Sequence, residues 1–225
     1  MKNDASTHDE KLAQKAARER QRGRPQVRPD NETRDIIYEA ARHVFAEKGF
    51  AAASMETIAR AAGVSTKTLY RLIDNKAMLF EQMVRQRIDR FVSAVNLSSC
   101  ENRNFEIALG DALIICGELV LNPEVIAIQR MILADSDAFP KVAESFYQYA
   151  MQRTVAALGD WLKAQQARGV IRLDDANEAA GMLLGMLIFE PQRAVWFGHR
   201  DAPTHSAIIA RARACVKLFV SGVGS

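Results

Sequence analysis

The feature of this sequence that most constrains its fold is the three-residue turn Gly63-Val64-Ser65, which separates two short helical segments. Ser54 predicts an N-cap for the first segment, about Met55 to Ala62, because its hydroxyl can accept from the free N–H groups of the first turn. The turn's glycine ends that helix, since a residue without Cβ adopts positive φ at little cost. The turn's serine caps the second segment, about Thr66 to Leu72. The arrangement predicts a helix-turn-helix.

Longer helical patterns flank this pair of short segments. From Glu32 to Gly49 apolar residues recur at helical spacing, and the glycine predicts a left-handed C-cap on which Phe50 folds back. Downstream, a long helix is predicted from about Asn75 into Val95. Residues 30–76 are therefore predicted to form a three-helix domain that contains the helix-turn-helix.

The rest of the chain also predicts helices and no strands. No stretch alternates apolar and polar residues with a period of two, and no paired turn signals indicate hairpins. Pro191 is expected to kink or close the helix that precedes it. We therefore predict an all-α fold in which residues 77–225 form a helical bundle. Its predicted helices are approximately Phe105–Val120, Pro123–Ala134, Pro140–Arg168, Ala176–Glu190 and Thr204–Val220.

The N-terminal 29 residues are strongly basic although the formal net charge of the chain is only +3. Seven cations lie between Lys11 and Arg28, opposed only by Glu19. Such a flexible arm would attract phosphates by releasing their counterions. A solvated tail with no binding role is the alternative reading of the same composition.

The second short helix carries side chains that suit DNA. Thr66, Lys67 and Thr68 stand at its N-terminal end, which is the end that enters the major groove in helix-turn-helix proteins. Threonine methyls can contact thymine methyls, and a lysine can donate to guanine acceptors. Tyr70 and Arg71 follow on the flank, where they are suited to phosphate oxygens.

Lys76 stands in the first turn of the next helix. Its ammonium and the free backbone N–H groups there could share one phosphate. A Gly-Val-Ser turn between short helices also occurs in helical bundles that bind no DNA, so the turn alone leaves a purely structural reading open.

The ordered string of these residues resembles the DNA-binding domain of TetR-family regulators. The matching segments run from residue 23 to about 80, and Ile73 departs from the pattern at a position that usually holds an aromatic residue. Leu72 departs as well, because a polar, phosphate-binding side chain is common there. The segments that carry the resemblance are Gly23-Arg24-Pro25, Glu47-Lys48-Gly49-Phe50, Ile58-Ala59, Ala61-Ala62-Gly63-Val64-Ser65, Thr68-Leu69-Tyr70 and Lys76.

The resemblance implies a set of DNA contacts. Arg24 of the arm would reach the DNA backbone or the minor groove. The implied base contacts are Thr66, Lys67 and Thr68, and the implied phosphate contacts are Ser54, Tyr70, Arg71 and Lys76.

The C-terminal part resembles the AefR-like branch of the same family, through Ala138-Phe139-Pro140, Gly169-Val170-Ile171, Asp174-Asp175 and Glu190-Pro191-Gln192. The resemblance implies a ligand cavity and a dimer interface within residues 77–225, and several relatives control efflux pumps. A small, largely apolar effector is expected, and methionines suit an adaptable pocket. An ordinary core is the alternative for each candidate residue. The candidates are Phe105, Leu109, Leu113, Met131, Phe146, Met151, Met182, Met186 and Phe189.

Dimerisation is predicted from the last two helices, which are apolar on faces that a small bundle cannot bury completely. Ala180, Gly181 and Gly185 would allow another helix to approach closely. A twofold dimer would place two reading helices about 34 to 36 Å apart, as a palindromic operator requires. The alternative is that these helices complete a monomeric core.

Little in the sequence points to enzymatic chemistry or to a cofactor. The four histidines form no metal-binding spacing, and no phosphate-binding loop or activated nucleophile is evident. The three cysteines, Cys100, Cys116 and Cys215, are far apart, which predicts free thiols in a reducing compartment. They are expected to be buried and inert, with redox sensing as the alternative. Neither a signal peptide nor a membrane span is indicated, so a cytoplasmic location is expected.

Two functions compete at this stage. A repressor that leaves its operator when a small molecule binds is the favoured one, and activation is a variant of it. The rival is a helical ligand-binding protein or enzyme that retains a vestigial helix-turn-helix.

Overall fold

The computed structural model describes residues 28–99 and 104–223, and all secondary structure within those ranges is helical. The predicted all-α fold is confirmed. Contacts divide the chain into two units, Met1–Asp35 and Ile36–Ser225. No helix of the described residues is long and apolar enough to cross a membrane. The helices are α1 Asp30–Ala52, α2 Met55–Ala61, α3 Thr66–Leu72, α4 Lys76–Ser99, α5 Phe105–Val120, α6 Pro123–Asp135, α7 Pro140–Phe146, a π-helix Tyr147–Gln152, α8 Arg153–Ala167, α9 Ala176–Trp196 and α10 His205–Val223.

The two short helices form where their capping residues predict them. The Ser54 hydroxyl oxygen accepts a hydrogen bond from the Thr57 N–H at 3.1 Å, and Ser65 accepts from the Thr68 N–H at 3.0 Å. Gly63 adopts a φ of 66°, a conformation that disfavours any residue with a Cβ. The turn therefore holds α2 and α3 at a fixed angle, as the helix-turn-helix prediction requires.

An aromatic cluster closes the end of α1. Gly49 has a φ of 79°, which breaks the helical path, although one further turn follows to Ala52. Phe50 then folds back into the core, where its ring stacks on Phe45 with centroids 5.6 Å apart and meets the edge of Phe80 at 5.9 Å. Aromatic pairs at these separations add to the stability gained by burial. The returning phenylalanine is confirmed, whereas the predicted left-handed cap is wrong, because Gly49 combines its positive φ with an extended ψ of 167°.

Two main clusters of buried side chains organise residues 36–223. The first combines α1, α2, α3 and the start of α4 with parts of α6 and the π-helix, and it includes Phe45, Leu69 and Phe80. The second lies among α4, α5, α8, α9 and α10, and it includes Leu113 and Leu158. Helix α4 contributes to both clusters, so it connects the helix-turn-helix to the C-terminal bundle.

Two predicted helices in the C-terminal part differ from the structure, one in its interior and one in its end. The long helix predicted from Pro140 to Arg168 contains the six-residue π-helix, whose backbone hydrogen bonds span one more residue than those of an α-helix. Helix α9 does not end before Pro191 but continues to Trp196, with the proline buried inside it. A proline removes one N–H from the helix. The Arg211 Nε donates to the nearby Met186 carbonyl at 2.9 Å, which adds support to this part of the backbone.

Candidate nucleic-acid interface

Helix α3 has one face in the core and the other in solvent. Leu69 is fully buried, whereas Lys67 is exposed and Tyr70 keeps 46% of its surface exposed. Thr66 and Arg71 are also exposed. Because Lys67 and Tyr70 are three residues apart, they lie on the same side of the helix. A polar, exposed face on a helix fixed from behind by apolar packing is what a DNA-reading helix needs.

The hydroxyl groups predicted to contact DNA also hold the two helices in shape. Thr68 is half-buried, and its hydroxyl lies 2.8 Å from that of Ser65. The Ser54 hydroxyl lies 3.0 Å from that of Thr57 besides capping α2. Each serine oxygen is therefore engaged within the protein, and DNA contacts by Ser54 and Thr68 stay predictions.

Lys76 has a structural role that the sequence reasoning missed. Its ammonium donates to the carbonyl oxygens of Phe50 at 2.5 Å and Ala53 at 2.8 Å, and it lies 4.5 Å from the centroid of the Phe50 ring. Burial lowers the pKa of this lysine, while the carbonyl oxygens around it favour the charged form. The ammonium thus ties the start of α4 to the end of α1.

A signal for this role was present in the sequence. A helix end leaves carbonyl oxygens without backbone partners, and a cation is a suitable partner for them. Gly49 places such an end directly before the α2 cap, and Lys76 is a cation near it in space. The predicted phosphate contact of the lysine side chain therefore competes with these carbonyls.

The two departures from the family pattern are explained by burial. Ile73 retains 1% of its surface exposed and Leu72 retains 7%, and both belong to the first core cluster. Ile73 thus fills the core position at which an aromatic residue is usual. Leu72 packs against the protein and contributes no polar atom. Arg24 and most of the basic arm lie outside the described residues.

Charged residues connect α1 to the first turn of α6. Nδ1 of His43 lies 2.7 Å from a carboxylate oxygen of Glu124, and Arg42 pairs with both Glu39 and Glu124. The hydrogen bond from Arg42 lowers the pKa of Glu39. This connection was not predictable, because nothing in the local sequence of α1 points to a partner 81 positions away.

The nine candidate ligand residues lie in four different places. Phe105, Leu109 and Leu113 belong to the second core cluster, whereas Met131 and Phe146 pack against the first. Met151 is exposed on the π-helix. The structure does not gather the nine around one cavity. The remaining three, exposed along one side of α9, are Met182, Met186 and Phe189.

Exposed apolar side chains lie along one side of α9, and another lies on α10. Met182 is 61% exposed, Phe189 is 52% exposed, and Leu218 on α10 is 67% exposed. A Cβ added at Gly181 or Gly185 would meet no atom within 4 Å, so the backbone is open to a close neighbour there. We call this the α9–α10 face. Apolar surfaces of this kind mark sites of protein association.

The described cysteines are buried and unreactive. Burial raises the pKa of Cys116 to about 12, and it also raises that of Cys215. Since the thiolate is the reactive form, neither thiol is suited to redox sensing at neutral pH. Cys100 lies outside the described residues.

Comparisons with known protein families match both parts of the chain. Residues 37–83 match the model described as "Bacterial regulatory proteins, tetR family". Residues 109–222, half of the chain, match "AefR-like transcriptional repressor, C-terminal domain".

Individual relatives agree with these matches. The transcriptional repressor ComR of Escherichia coli is 34% identical over 91 residues, which cover 40% of this chain and 41% of ComR. A solved TetR-family transcriptional regulator from Mesorhizobium loti is 27% identical, with a TM-score of 0.75 over 88% of this chain and 100% of that one. The flavonoid-responsive regulator FrrA is 28% identical, with a TM-score of 0.63 over 86% and 97%. The chain thus matches less than half the length of ComR but nearly all of the two solved structures.

Proposed function

Because the chain belongs to the TetR family of bacterial transcriptional regulators, we propose that it is a repressor that leaves a palindromic operator when a small molecule binds. Membership makes it a DNA-binding transcription factor and not an enzyme. We place it in the cytoplasm, where bacterial DNA lies. The observation that carries the proposal is the exposed polar face of α3, on which Lys67 and Tyr70 stand free of the core.

The proposed reading of DNA divides the candidate residues of the helix-turn-helix into two groups. Thr66, Lys67 and Thr68 face base edges at the leading end of α3, because that end enters the major groove. Tyr70 and Arg71 bind phosphates on the flank, and Ser54 adds a phosphate contact at the start of α2. Arg24 extends the contact into the backbone or the minor groove. Phosphate contacts position the protein, and base contacts specify the sequence.

Replacing Lys67 with alanine is expected to relax sequence selection. The lysine is exposed at the leading end of α3, where its ammonium can donate to guanine. Losing one such contact should remove about 1 kcal/mol of discrimination at one base position per half-site. Selection of bound fragments from random DNA would show it as lost preference at that position. Unchanged selection in the variant would contradict the base contact.

Replacing Tyr70 with phenylalanine should weaken binding to all DNA sequences alike. The substitution removes only the hydroxyl from a half-exposed ring, so α3 keeps its packing. The dimer loses one phosphate hydrogen bond per half-site, at about 0.5–1 kcal/mol each, so affinity should fall roughly 5- to 30-fold. Fluorescence anisotropy measures the affinity of each protein for the operator and for a scrambled duplex. A loss confined to the operator would argue for base contact.

Homodimerisation is part of the proposal and is supported by the α9–α10 face. A twofold axis through that face would bury Met182 and Phe189 against their copies. Two α3 helices would then be spaced about 34 to 36 Å apart, one turn of DNA. A palindromic operator with half-sites at that spacing is the expected target.

The proposed effector shifts the protein between two packings of the C-terminal bundle. A ligand does so only if it binds one packing better than the other. A coupling of about 1–3 kcal/mol would lower DNA affinity roughly 5- to 150-fold. The responsiveness of FrrA to flavonoids and the repressor activity in the name of ComR support this mode of action. Control of an efflux system is the expected physiological role, from the resemblance to AefR-like repressors.

The decisive experiment is selection of bound fragments from random double-stranded DNA with the full chain. The expected result is a palindrome whose half-site centres are 10 to 10.5 base pairs apart or a multiple of that spacing. Binding to the recovered site should weaken steeply as salt rises, because phosphate contacts release counterions. Recovery of no common sequence, with weak binding insensitive to salt, would overturn the proposed function.

A further inference from the structure

Helix α4 is not the only helical stretch that runs from the first core cluster to the second. The run of α7, the π-helix and α8, from Pro140 to Ala167, does so as well. Its first part, with Val142 and Ala150, belongs to the first cluster, and its last part, with Leu158 and Leu162, belongs to the second. The π-helix therefore lies where this stretch passes from one cluster to the other.

The second stretch is joined to α4 by polar contacts at two successive turns. The Arg85 guanidinium on α4 lies 3.6 Å from the centroid of the Tyr149 ring on the π-helix. One turn further along both helices, Arg153 at the start of α8 pairs with Asp89 at 2.7 Å. The two helices thus run in the same direction here, and a movement of α4 acts on the π-helix through these contacts.

The spacing of the core-facing residues requires a segment wider than an α-helix. These positions recur every four residues, and they are Val142, Phe146, Ala150, Thr154 and Leu158, of which only Phe146 is half-buried and not buried. Four residues of an α-helix turn the chain by about 400°, so each step overshoots a full turn by about 40°. Four such steps would accumulate roughly 160° and turn the last position away from the first. The π-helix, whose hydrogen bonds span one residue more, takes up part of that drift.

A buried hydroxyl supports the C-terminal end of the π-helix. Thr154 is 6% exposed, and its Oγ1 donates to the Ala150 carbonyl oxygen at 2.7 Å. An α-helical path over the same residues would rotate α7 against α8 by about 100° for the one residue that the π-helix holds in excess. That rotation would move Val142 out of the first cluster. The same sequence thus has two helical registers with different packing.

The register of this segment also affects the support of the helix-turn-helix. Phe139, directly before α7, meets the edge of the Phe50 ring with centroids 5.0 Å apart. The carbonyl oxygen of Phe50 accepts from the Lys76 ammonium at the start of α4. Rotation of α7 would withdraw Phe139 from this contact, so the support of the helix-turn-helix depends on the π form.

We propose that the π-helix Tyr147–Gln152 is the switch between the two packings of the ligand-released repressor. Its π form holds α7 against Phe50 and is the operator-binding packing, and its conversion to an α-helix rotates α7 and releases the operator. This inference rests on the proposed function and adds the element through which release occurs. The switch depends on the number of residues and the backbone contacts of the segment, not on its exposed side chains.

Hydrogen exchange followed by mass spectrometry tests the switch in the unmodified full chain, with the operator duplex recovered by selection as the probe. In the free protein, residues 147–154 should exchange at least about 10-fold faster than the rest of α8, because a segment that opens locally exchanges faster. Operator should slow their exchange by about 10-fold, because a ligand favours the state that it binds better. Equal exchange with and without operator overturns the proposal.

Replacing Thr154 with valine should shift the equilibrium away from the π form. The variant keeps the shape of the side chain but removes the donor to the Ala150 carbonyl. Loss of this hydrogen bond should weaken operator binding by about 3- to 5-fold and speed the exchange of residues 147–154. Thr154→Ser keeps the hydroxyl and should restore both values. Equal operator affinity in the valine and serine variants would contradict the switch.

Deleting one residue of the π-helix should fix the operator-binding packing. Without the exposed Gln148, the segment can be α-helical while α7 and α8 keep their orientations. The melting temperature should stay within about 2 °C, and operator affinity should be equal or up to about 5-fold tighter. The matched deletion of Asp160, an exposed residue of α8, should lower the melting temperature by about 10 °C or more. Equal destabilisation by both deletions would show that the π-helix holds no extra residue, and the proposal would fail.

These outcomes are distinct from a failure of the proposed function. If the chain selects an operator but the operator leaves the exchange of residues 147–154 unchanged, the switch is wrong and the repressor proposal stands. If selection recovers no common sequence, the proposed function fails, and the switch fails with it because it acts on operator binding.

Discussion

Replacing Met182 with glutamate is expected to convert the protein from dimers to monomers and to lower operator affinity by about 100-fold or more. Met182 is 61% exposed on the α9–α10 face, and a twofold axis would bury it twice. Burying a methionine contributes about 1.5–3 kcal/mol per side chain, and a buried, unpaired carboxylate adds a large penalty. A monomer reaches only one half-site. Light scattering measures the mass, and anisotropy measures the affinity.

Met151→Glu is the matched control for this substitution. Met151 has a similar exposed fraction, 54% against 61% for Met182, but it lies on the π-helix and not on the α9–α10 face. The control introduces the same charge at a similar exposure, and it should leave both dimer mass and operator affinity unchanged. If Met182→Glu stays dimeric while Met151→Glu dissociates, the dimer forms through a different surface.

Replacing Lys76 with methionine is expected to lower the free energy of unfolding by about 2 kcal/mol. The ammonium donates to the carbonyl oxygens of Phe50 and Ala53, which lose their partner in the variant. For a chain of this size the melting temperature should fall by about 4 to 8 °C. Thermal denaturation followed by circular dichroism measures the change. DNA affinity should fall for all sequences, because the end of α1 and the start of α4 are no longer tied together.

Lys67→Met is the control that distinguishes a loss of protein stability from the loss of a DNA contact. It makes the same chemical change at an exposed lysine of α3, and it should leave the melting temperature unchanged. Should Lys76→Met melt like the unmodified protein but bind DNA with a reduced salt dependence, the lysine would act on phosphate instead.

The helix-turn-helix could be predicted closely because its signals are local. Ser54, Gly63 and Ser65 act through bonds and torsions within four residues of their own positions. The apolar spacing that follows them determines which face of α3 packs on the core. A single sequence is sufficient for such features.

What the sequence could not predict depends on distant contacts. Local sequence signals indicate neither the π-helix nor the continuation of α9 through Pro191, and near that proline Arg211 donates to Met186, 25 positions earlier in the chain. The sequence also could not place Met182, which the structure exposes on α9 and whose role in ligand binding stays a prediction. A methionine at helical spacing is equally compatible with a pocket, a core and a subunit interface, and only the neighbouring helices decide among them.

Helix α4 has a consequence for how operator and effector affect each other. Its 24 residues extend about 36 Å, with Phe80 anchored in the first cluster and Phe91 in the second. A tilt of roughly 10° about one end would displace the other by about 6 Å, which follows from that length. Because α4 contributes to both clusters, one tilt of this helix would move the helix-turn-helix and the C-terminal bundle together. Under the proposed release by an effector, thermodynamic reciprocity requires that bound operator lower the protein's affinity for the effector by the same factor by which the effector lowers its affinity for the operator.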